Sequence, residues 1–359
     1  MRSSWIRREA SATTTTADEV PNVINENIEV VLRHRPQSMP VATDLHLIER
    51  PMPSSAPRGG MLVRVIALSL DPYLGSRLRG RHMGEAAPAP GESLPGLALA
   101  QVLSSDASSF APGDYVVAET GWTRFAAIAA SGVRKVEANV PLTAHLGVLG
   151  MPGLTAWAGI TQLAKARAGD VLTVDAAAGV VGGVAGQIVR TLGGRAIGIA
   201  GGADKCALVK QSYHFDDCID YRSADWPALL AESVGEGPSI HFENVGLAVY
   251  ERVFPLLHNY ARVVLCGLAG HYHSDGPPPS YPLGPVVAKR ATVMGLVVYD
   301  YLHRFGEWIA LGSRWLHEGK LVQVDDVAEG LINAPAQFER MLRGQHLGKA
   351  LVRVGPDRI

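Results

Sequence analysis

The sequence predicts an α/β protein built from two units, one rich in β-strands and one in which strands and helices alternate. Three observations predict this class. A chain of 359 residues has the length of about two domains. Short β segments between Pro- and Gly-rich turns fill its first part, and beyond Leu142 apolar strands alternate with helices, as in a parallel sheet. A hydrophobic fraction of 47% and a charged fraction of 19% indicate a globular chain with a sizeable core.

Charge and cysteine content exclude several classes of function. Lys and Arg number 33 and Asp and Glu number 34, so the net charge of −1 lacks the positive excess that nucleic-acid binding favours. No run of 18 apolar residues predicts a membrane span. Cys206, Cys218 and Cys266 form no CxxC pair, which excludes a disulfide framework and a four-cysteine zinc site. Reduced thiols indicate a cytoplasmic protein.

The first segment, residues 1–21, is rich in Ser, Thr, Ala and Arg and shows no hydrophobic periodicity. Arg2, Arg7 and Arg8 resemble the arginines of a transit peptide. No amphipathic helix continues from them. We therefore interpret this segment as a disordered extension, with a transit peptide as the alternative.

The β-rich unit follows and extends to about Pro141. Pro and Gly clusters in Arg50–Gly60 and Ala87–Gly96 divide it into short pieces. The pieces predicted to be strands are Ile28–Leu32, Leu45–Glu49, Met61–Leu70, Leu97–Leu103 and Tyr115–Ala118. Short strands at this spacing predict a compact, barrel-like β domain.

The second unit alternates between apolar runs and helical segments. The predicted strands are Val171–Val174, Arg195–Ala200, Cys218–Tyr221, Ile240–Asn244 and Ala261–Cys266, and the predicted helices are Gly179–Leu192, Asp204–Tyr213 and Trp226–Val234. Gly276–Pro285 is rich in proline and predicts a surface loop. The tail shows one strong helix, Phe305–Glu318, and a last strand, Lys349–Val354.

A glycine-rich turn joins the first strand of this unit to its first helix. The spacing Ala-x-x-Gly-x-x-Gly places Gly179 and Gly182 where a Cβ would obstruct a pyrophosphate, and the helix that follows offers free N–H groups. Gly186 allows this helix to lie close to the sheet. An ordinary strand–turn–helix packed by glycines is the alternative, but a preceding strand and a following helix are the context that a dinucleotide site requires.

The end of the next strand predicts which dinucleotide binds. NAD-binding proteins carry an acidic residue there for the ribose hydroxyls. Here the strand ends in Gly201 and Gly202, and Lys205 follows, a cation suited to the 2′-phosphate of NADP. Asp204 fits a helix N-cap. Without the glycine turn, Lys205 and the nearby Arg222 would be interpreted as solvated surface charges.

The sequence offers no ligand set for a catalytic zinc ion. The first 141 residues contain no cysteine, and His34, His46 and His82 stand alone. His271 and His273 are close to each other, but no cysteine stands at a ligand spacing from them. A G-x-S-x-G nucleophile motif is also absent from the sequence. We therefore expect no metal.

A longer motif then points to a family. Leu146–Trp157 reads LGVLGMPGLTAW and resembles the signature of the zinc-independent medium-chain reductases, in particular the leukotriene B4 dehydrogenase/prostaglandin reductase and alkenal double-bond reductase family. Further matching segments are Arg33–Pro36, Leu68–Tyr73, Pro112–Asp114, Gly121–Trp122, Ala200–Lys205, Phe242–Gly246 and Gly348–Lys349. They follow the family's order along nearly the whole chain from Asn22 onward.

The resemblance implies a fold, a cofactor and a set of residues. A GroES-like catalytic domain would comprise residues 22–145 and 312–359, with a Rossmann domain of residues 146–311 inserted, and the protein would be a homodimer that uses NADPH. The residues it assigns to cofactor binding are Gly179, Val180, Val181, Gly182, Lys205, Tyr221, Asn244, Cys266, Gly267, Leu268, Tyr272, Leu296, Val297, Val298 and His346. Tyr73 and Tyr272 would line the substrate site.

This sequence departs from the family pattern at several positions. Gly75 stands where an arginine is usual, Leu247 replaces the second glycine of a pair, and His346 replaces an asparagine. The segment Leu268–His273 also differs from the usual one. Most of these changes lie around the nicotinamide and the substrate pocket, so the cofactor class is better supported than any substrate.

The implied reaction is reduction of an activated C=C bond. Hydride reaches the β-carbon of an α,β-unsaturated carbonyl, and charge develops on the carbonyl oxygen, where a hydrogen-bond donor is needed. Tyr272 is the best candidate, because a phenol remains protonated at neutral pH and can donate to an enolate or deliver a proton. His271, His273, water or a ribose hydroxyl are alternatives for the proton.

Two other functions remain open from the sequence. A secondary alcohol dehydrogenase or ketone reductase on the same scaffold would need a base or a metal that no motif supplies. A cofactor-binding protein without catalysis is the other alternative, because residues such as Gly75 and His346 depart from the family pattern on the nicotinamide side.

Overall fold

The computed structural model describes residues 26–272 and 280–355. The proposed extension 1–21, His273 and the proline run within Gly276–Pro285 lie outside the described residues. Among the helices of the described part, none combines the length and apolar character that crossing a bilayer requires.

The described residues form β-strands and α-helices in two groups. The strands are β1 (Glu26–Leu32), β2 (Leu45–Pro51), β3 (Gly60–Ser69), β4 (Leu97–Ser105), β5 (Tyr115–Glu119), β6 (Phe125–Ala129), β7 (Arg134–Val136), β8 (Val171–Val174), β9 (Arg195–Ala200), β10 (Asp217–Asp220), β11 (Ile240–Glu243), β12 (Arg262–Leu265), β13 (Thr292–Gly295), β14 (Asp325–Glu329) and β15 (Lys349–Arg353). The helices are α1 (Tyr73–Leu78), α2 (Met151–Trp157), α3 (Val180–Thr191), α4 (Ala203–Gln211), α5 (Trp226–Val234), α6 (Leu247–Val253), α7 (Gly284–Lys289), α8 (Phe305–His317) and α9 (Ala334–Leu342). A π-helical stretch, Ala158–Leu163, continues α2.

The N-terminal unit is built on a seven-stranded sheet and a separate hairpin of β1 and β2. The strand order is β14-β15-β3-β4-β5-β7, and β6 also pairs with β3. The tail of the chain returns to this sheet, because β15 pairs antiparallel with β3 and brings Leu351 opposite Ser69. Residues more than 270 positions apart in sequence therefore share one core around Leu68, Phe338 and Val352.

The second unit is a six-stranded sheet with the order β10-β9-β8-β11-β12-β13. All five strand pairings are parallel. The order reverses between β8 and β11, so the loops that leave these two strands diverge and open a crevice at the carboxyl edge. Short apolar strands covered by helices on both faces are typical of such a sheet. The prediction of a β-rich unit joined to a doubly wound parallel sheet is confirmed.

The structure corrects the description of the tail. The sequence predicts one strong helix there, yet α9 is a second one, whose Phe338 and Met341 lie three residues apart and pack into the N-terminal core. Strand β14 reads DDVAE, an acidic pattern with low strand propensity, and it forms because Lys349–Arg353 pairs along its whole length. Residue 312 lies inside α8, and Trp308 packs in the core of the second unit.

Candidate active site and cofactor cleft

The cofactor residues assigned from the sequence gather along the carboxyl edge of the parallel sheet. Each group of these residues follows a different strand, so the groups are arranged along the edge in the order of the strands in the sheet. Tyr221 follows β10, Gly201 to Lys205 follow β9, Gly179 to Gly182 follow β8, Asn244 follows β11, Cys266 to Leu268 follow β12, and Leu296 to Val298 follow β13. The glycine turn and Asn244 stand on the two sides of the reversal point, where open α/β sheets bind their ligands.

The glycine-rich turn between β8 and α3 packs closely against the first turn of that helix. Gly179 caps α3 with an extended backbone, φ −80° and ψ 170°, and leaves the N–H groups of Val180 and Val181 at the start of the helix. A Cβ on Gly182 would lie 2.7 Å from the carbonyl oxygen of Ala176. Glycine is thus required at 182 for the helix to begin against its own turn, in addition to any room for a pyrophosphate.

The sequence predicts close packing of α3 at Gly186, and in the structure its neighbour there is the aromatic ring of Phe215. A Cβ there would lie 1.9 Å from the ring of Phe215, which fills the space beside the helix. One turn earlier, a Cβ on Gly183 would lie 2.8 Å from the ring of Tyr213. The two glycines therefore allow α3 to pack closely against the segment that follows α4.

The opposite end of the crevice is cationic. A Cβ on Gly201 would lie 2.7 Å from the phenol of Tyr221, so this ring rests on the glycine. Asp220 accepts the backbone N–H groups of Gly202 and Arg222 at 2.8 and 3.0 Å, and these bonds lower its pKa. Lys205 stands on the first turn of α4, and burial and the nearby Arg222 lower the pKa of its ammonium group.

The tail of the chain reaches this cationic end. The Lys205 ammonium group donates to the carbonyl oxygen of Gly344 at 2.7 Å. His346 lies two residues further on, and its Nδ1 atom is buried without a hydrogen-bond partner among the described residues. Burial and the positive charge of Lys205 lower the pKa of His346 to about 4, so its imidazole is neutral at pH 7. No sequence pattern indicates that Lys205 contacts Gly344.

Asn244 is held by a buried cluster of polar groups that the sequence analysis did not identify. Its backbone N–H donates to Asp175 Oδ1 at 2.6 Å, and its side-chain Nδ2 donates to the same atom at 3.2 Å. Glu243 accepts the N–H groups of Val245 and Gly246 at 2.9 and 2.7 Å. In the sequence, Asp175 directly follows the apolar strand Val171–Val174. A carboxyl group at the end of such a strand is the one pattern that could have pointed to this cluster.

Tyr272 lies in the segment that follows β12, and its side chain folds back against the start of that segment. The Tyr272 hydroxyl accepts the N–H of Leu268 at 3.4 Å and would lie 2.9 Å from a Cβ on Gly267. Burial raises the pKa of this phenol, so it stays protonated at neutral pH. Arg79, at the end of α1, donates to the Tyr272 carbonyl oxygen at 3.2 Å. One guanidinium thus connects the N-terminal unit to the Tyr272 segment.

His271 points away from the Tyr272 hydroxyl. Its Nε2 atom accepts the N–H of Leu247 at 3.4 Å, and its ring lies 2.6 Å from where a Cβ of Gly246 would stand. Gly246 has a φ of +121°, a conformation that favours glycine. His271 therefore packs against the turn before α6 and helps to hold it in place.

Tyr73 opens helix α1 on the other side of the cleft. The buried Lys349 fixes the start of that helix, because its ammonium group donates to Leu70 O at 3.0 Å and to Asp71 Oδ1 at 2.7 Å. The Tyr73 ring lies 4.9 Å from that of His82. Burial, reinforced by Asp71, raises the pKa of Tyr73 far above its usual value.

The remaining assigned residues have different exposures. The N–H of Leu296 donates to Leu265 O at 2.9 Å and its side chain is buried, whereas Val297 is exposed. Burial raises the pKa of the Cys266 thiol to about 12, so no thiolate is available there. Within the described ranges, no group of three or more His, Cys, Asp or Glu side chains is placed to hold a metal ion.

Comparison with known proteins agrees with this architecture. A family model described as the N-terminal domain of oxidoreductase matches residues 29–136, and one described as zinc-binding dehydrogenase matches residues 180–314. The NADPH-dependent curcumin reductase of Escherichia coli is 34% identical over 91% of this chain and 96% of its own length. The 2-alkenal reductase (NADP+-dependent) of Nicotiana tabacum is 32% identical over 92% of this chain and 98% of its own.

A solved structure extends the likeness to three dimensions. The crystal structure of CurA from Vibrio vulnificus in complex with NADPH superimposes with a TM-score of 0.86 and 36% identity, over 92% of this chain and all of that one. The fold and the crevice define a two-domain, nucleotide-dependent oxidoreductase. Within that class, the chain belongs to the zinc-independent medium-chain dehydrogenase/reductase family that includes the alkenal reductases.

Proposed function

We propose that this protein reduces the activated C=C bond of an α,β-unsaturated carbonyl compound with NADPH, and that Tyr272 stabilises the oxygen on which charge develops. The observation that supports this proposal is the position of the Tyr272 hydroxyl, which lies against Gly267 after β12, while Lys205 follows β9 on the other side of the point where the strand order reverses. Relatives named as curcumin, 2-alkenal and prostaglandin reductases support the reaction class.

The residues of this chain have distinct tasks in that reaction. NADPH, when bound, supplies the hydride. The first turn of α3 would bind the pyrophosphate, and Lys205 and Tyr221 would bind the 2′-phosphate side. Tyr272 keeps its proton at neutral pH and donates a hydrogen bond to the substrate's carbonyl oxygen as the enolate forms. Tyr73 closes the pocket from the catalytic unit.

A product assay tests the reaction. The purified protein is mixed with NADPH and either an enone or the corresponding saturated ketone, and the products are identified by mass spectrometry. We expect the enone to give the saturated ketone, with deuterium on the β-carbon when NADPH deuterated at C4 is used. Formation of an alcohol from either compound would contradict C=C reduction, and tight NADPH binding without turnover of any enone would indicate a non-catalytic protein.

We also propose that residues 22–145 and 312–359 form the catalytic domain and residues 146–311 the cofactor domain, with Trp315 of the tail packed beside Trp308 in the core of the latter. The return of β14 and β15 to the sheet of β3 supports this division. Three free cysteines, Cys206, Cys218 and Cys266, support a cytoplasmic location, where thiols stay reduced.

The assembly that we propose is a homodimer formed through β13. This strand is the last in its sheet and pairs with β12 on one side among the described residues. Apolar side chains are exposed on it and beside it, namely Val287, Val293, Val297 and Leu302. An open strand edge with exposed apolar side chains is a template for pairing with a second chain.

A further inference from the structure

Two neighbouring strands, β8 and β11, end in buried polar residues that lie next to Asn244. Strands β8 and β11 pair in parallel, with Thr173 opposite His241. Because side chains alternate along a strand, Asp175 and Glu243, two residues further on, lie on the same side as Thr173 and His241. All four residues are completely buried. Bulk solvent does not reach them, and each forms hydrogen bonds to neighbouring protein groups.

Hydrogen bonds connect the side chains of this cluster. His241 contacts Glu243 Oε2 at 3.1 Å through Nε2 and Thr173 Oγ1 at 3.0 Å through Nδ1. Asp175 hydrogen-bonds to Glu243, and two adjacent carboxyl groups in a dry site share a proton. Burial and the charge of Glu243 raise the pKa of Asp175 well above its usual value. The N–H of Val245 donates to both carboxyl groups, to Asp175 Oδ2 at 3.0 Å and to Glu243 Oε1 at 2.9 Å, so the two lie side by side.

Asp175 determines which way the side-chain amide of Asn244 faces. The Asn244 Nδ2 atom lies 3.1 Å from the backbone oxygen of Asp175 and 3.2 Å from its Oδ1 atom. Both of these atoms are acceptors, so only the NH2 end of the amide can face them. The amide oxygen of Asn244 must then point away from Asp175.

We infer that Asp175 is a positioning residue for the cofactor: it holds Asn244 so that its amide oxygen accepts a hydrogen bond from a hydroxyl or amide N–H group at the nicotinamide end of NADPH. This inference rests on the proposed function. Asp175 also accepts the N–H of Val245 at 3.0 Å, so the same carboxyl group fixes both the backbone and the side chain at this position.

The inference distinguishes a positioning role from a structural one through paired variants. Asp175→Ala leaves the Asn244 amide without its partner, whereas Asp175→Asn keeps an oxygen acceptor for Asn244 while the Val245 N–H retains Glu243 Oε1 as its acceptor. We expect the alanine variant to raise the NADPH dissociation constant about tenfold and to lower kcat, and the asparagine variant to stay within about threefold of wild type. A role in stability alone would lower Tm and leave the dissociation constant of the folded protein unchanged.

A double-mutant cycle tests whether Asp175 acts through Asn244. We expect Asn244→Ala to weaken NADPH binding in the wild type and to have little further effect in Asp175→Ala, because the acceptor is then already misplaced. Additive effects of the two substitutions would overturn the inference. Should Asp175→Ala not fold, Asp175→Ser replaces it in the cycle, since its hydroxyl is too short to hold Asn244 and Val245 together.

A matched control is available at the opposite end of the same strand. Asp170 precedes β8, is buried, and accepts the N–H of Arg167 at 2.9 Å and the hydroxyl of Ser239 at 2.7 Å. Asp170→Ala should lower Tm without changing the NADPH dissociation constant. If wild type binds NADPH but reduces no enone, the proposed function fails while the binding cycle still tests Asp175. If Asp175→Ala binds NADPH as wild type does, the inference fails alone.

Discussion

Lys205 is the residue on which the cofactor preference depends. Replacing it with alanine removes a cation from the proposed 2′-phosphate pocket, and a charge-assisted hydrogen bond contributes about 1.5–3 kcal/mol. We therefore predict that Lys205→Ala weakens NADPH binding about 10- to 100-fold and leaves NADH binding nearly unchanged. Fluorescence titration with both cofactors measures this. Lys210→Ala, on the exposed last turn of the same helix, is the control, and equal losses for NADPH and NADH would contradict the assignment.

Tyr272 should act on the transition state more than on substrate binding. The charge on the carbonyl oxygen grows as the enolate forms, so the hydrogen bond from the phenol strengthens along the reaction. We predict that Tyr272→Phe lowers kcat about tenfold with a smaller change in KM. Steady-state kinetics at saturating NADPH measure this, with Tyr260→Phe, an exposed position, as the control. A silent Tyr272→Phe with a rate that titrates near neutral pH would transfer the role to a histidine.

His145 makes the folded protein sensitive to acid. Arg134 contacts its Nδ1 atom at 3.3 Å, and burial together with this cation lowers the pKa of His145 to about 4. The unfolded chain binds the proton near pH 6.5, so the free energy of unfolding falls as the pH drops from 6.5 toward 4.

We predict that His145→Gln loses up to about 2 kcal/mol less stability than wild type between pH 7.5 and 5.0, since glutamine cannot be protonated there. Urea unfolding at the two pH values measures the difference. His258→Gln, at an exposed histidine, should follow the wild-type curve. If His145→Gln also follows that curve, His145 is not the group responsible.

At the scale of single elements, the same substitution should have opposite effects in two helices. Gly186→Ala in α3 would place a methyl group 1.9 Å from the Phe215 ring, and such overpacking costs about 1–3 kcal/mol. Gly306→Ala in α8 meets no atom within 4 Å and gains helix propensity, so it should stabilise by about 0.5 kcal/mol. Thermal unfolding of both variants measures this. A neutral Gly186→Ala would show that α3 can move away from Phe215.

Elements also differ in how far their own residues specify them. Helix α5 begins and ends at the residues predicted, Trp226 and Val234, because its apolar spacing and Pro227 in the first turn are local signals. Strand β13 was not predicted, since its four residues show no clear alternation and it is positioned by pairing with β12. The short helix α1 follows Asp71, whose ion pair with Lys349 joins distant parts of the chain.

At the scale of the whole molecule, the prediction concerns assembly. Val293→Lys places a charge on the exposed edge of β13, where a second chain would pair, and lysine on an edge strand opposes such pairing. We predict that the variant elutes as a monomer in size-exclusion chromatography with light scattering, whereas wild type is a dimer. Leu103→Lys, similarly exposed on β4 of the other sheet, should remain dimeric. A monomeric wild type would contradict the proposed assembly.

The sequence by itself determined the features that depend on neighbouring residues. The alternation of apolar strands with helices is a local pattern that predicted the parallel sheet, and the turn at Gly179 and Gly182 with the cation at Lys205 predicted the cofactor class. The motif at Leu146–Trp157 added the reaction class through its resemblance to a family, because matching segments follow that family's order along nearly the whole chain.

Only the tertiary structure decided the contacts between distant segments. The bond from Lys205 to Gly344 joins residues 139 positions apart, and Asp175 meets Asn244 across 69 positions. Strand β14 is acidic and forms because β15 pairs with it. The periodicity of a sequence predicts which face of a helix or strand is apolar. The hydrogen-bond partner of a buried polar group depends instead on which helices and strands lie side by side in the fold. For that physical reason the support beneath Asn244 could be found only in the folded chain.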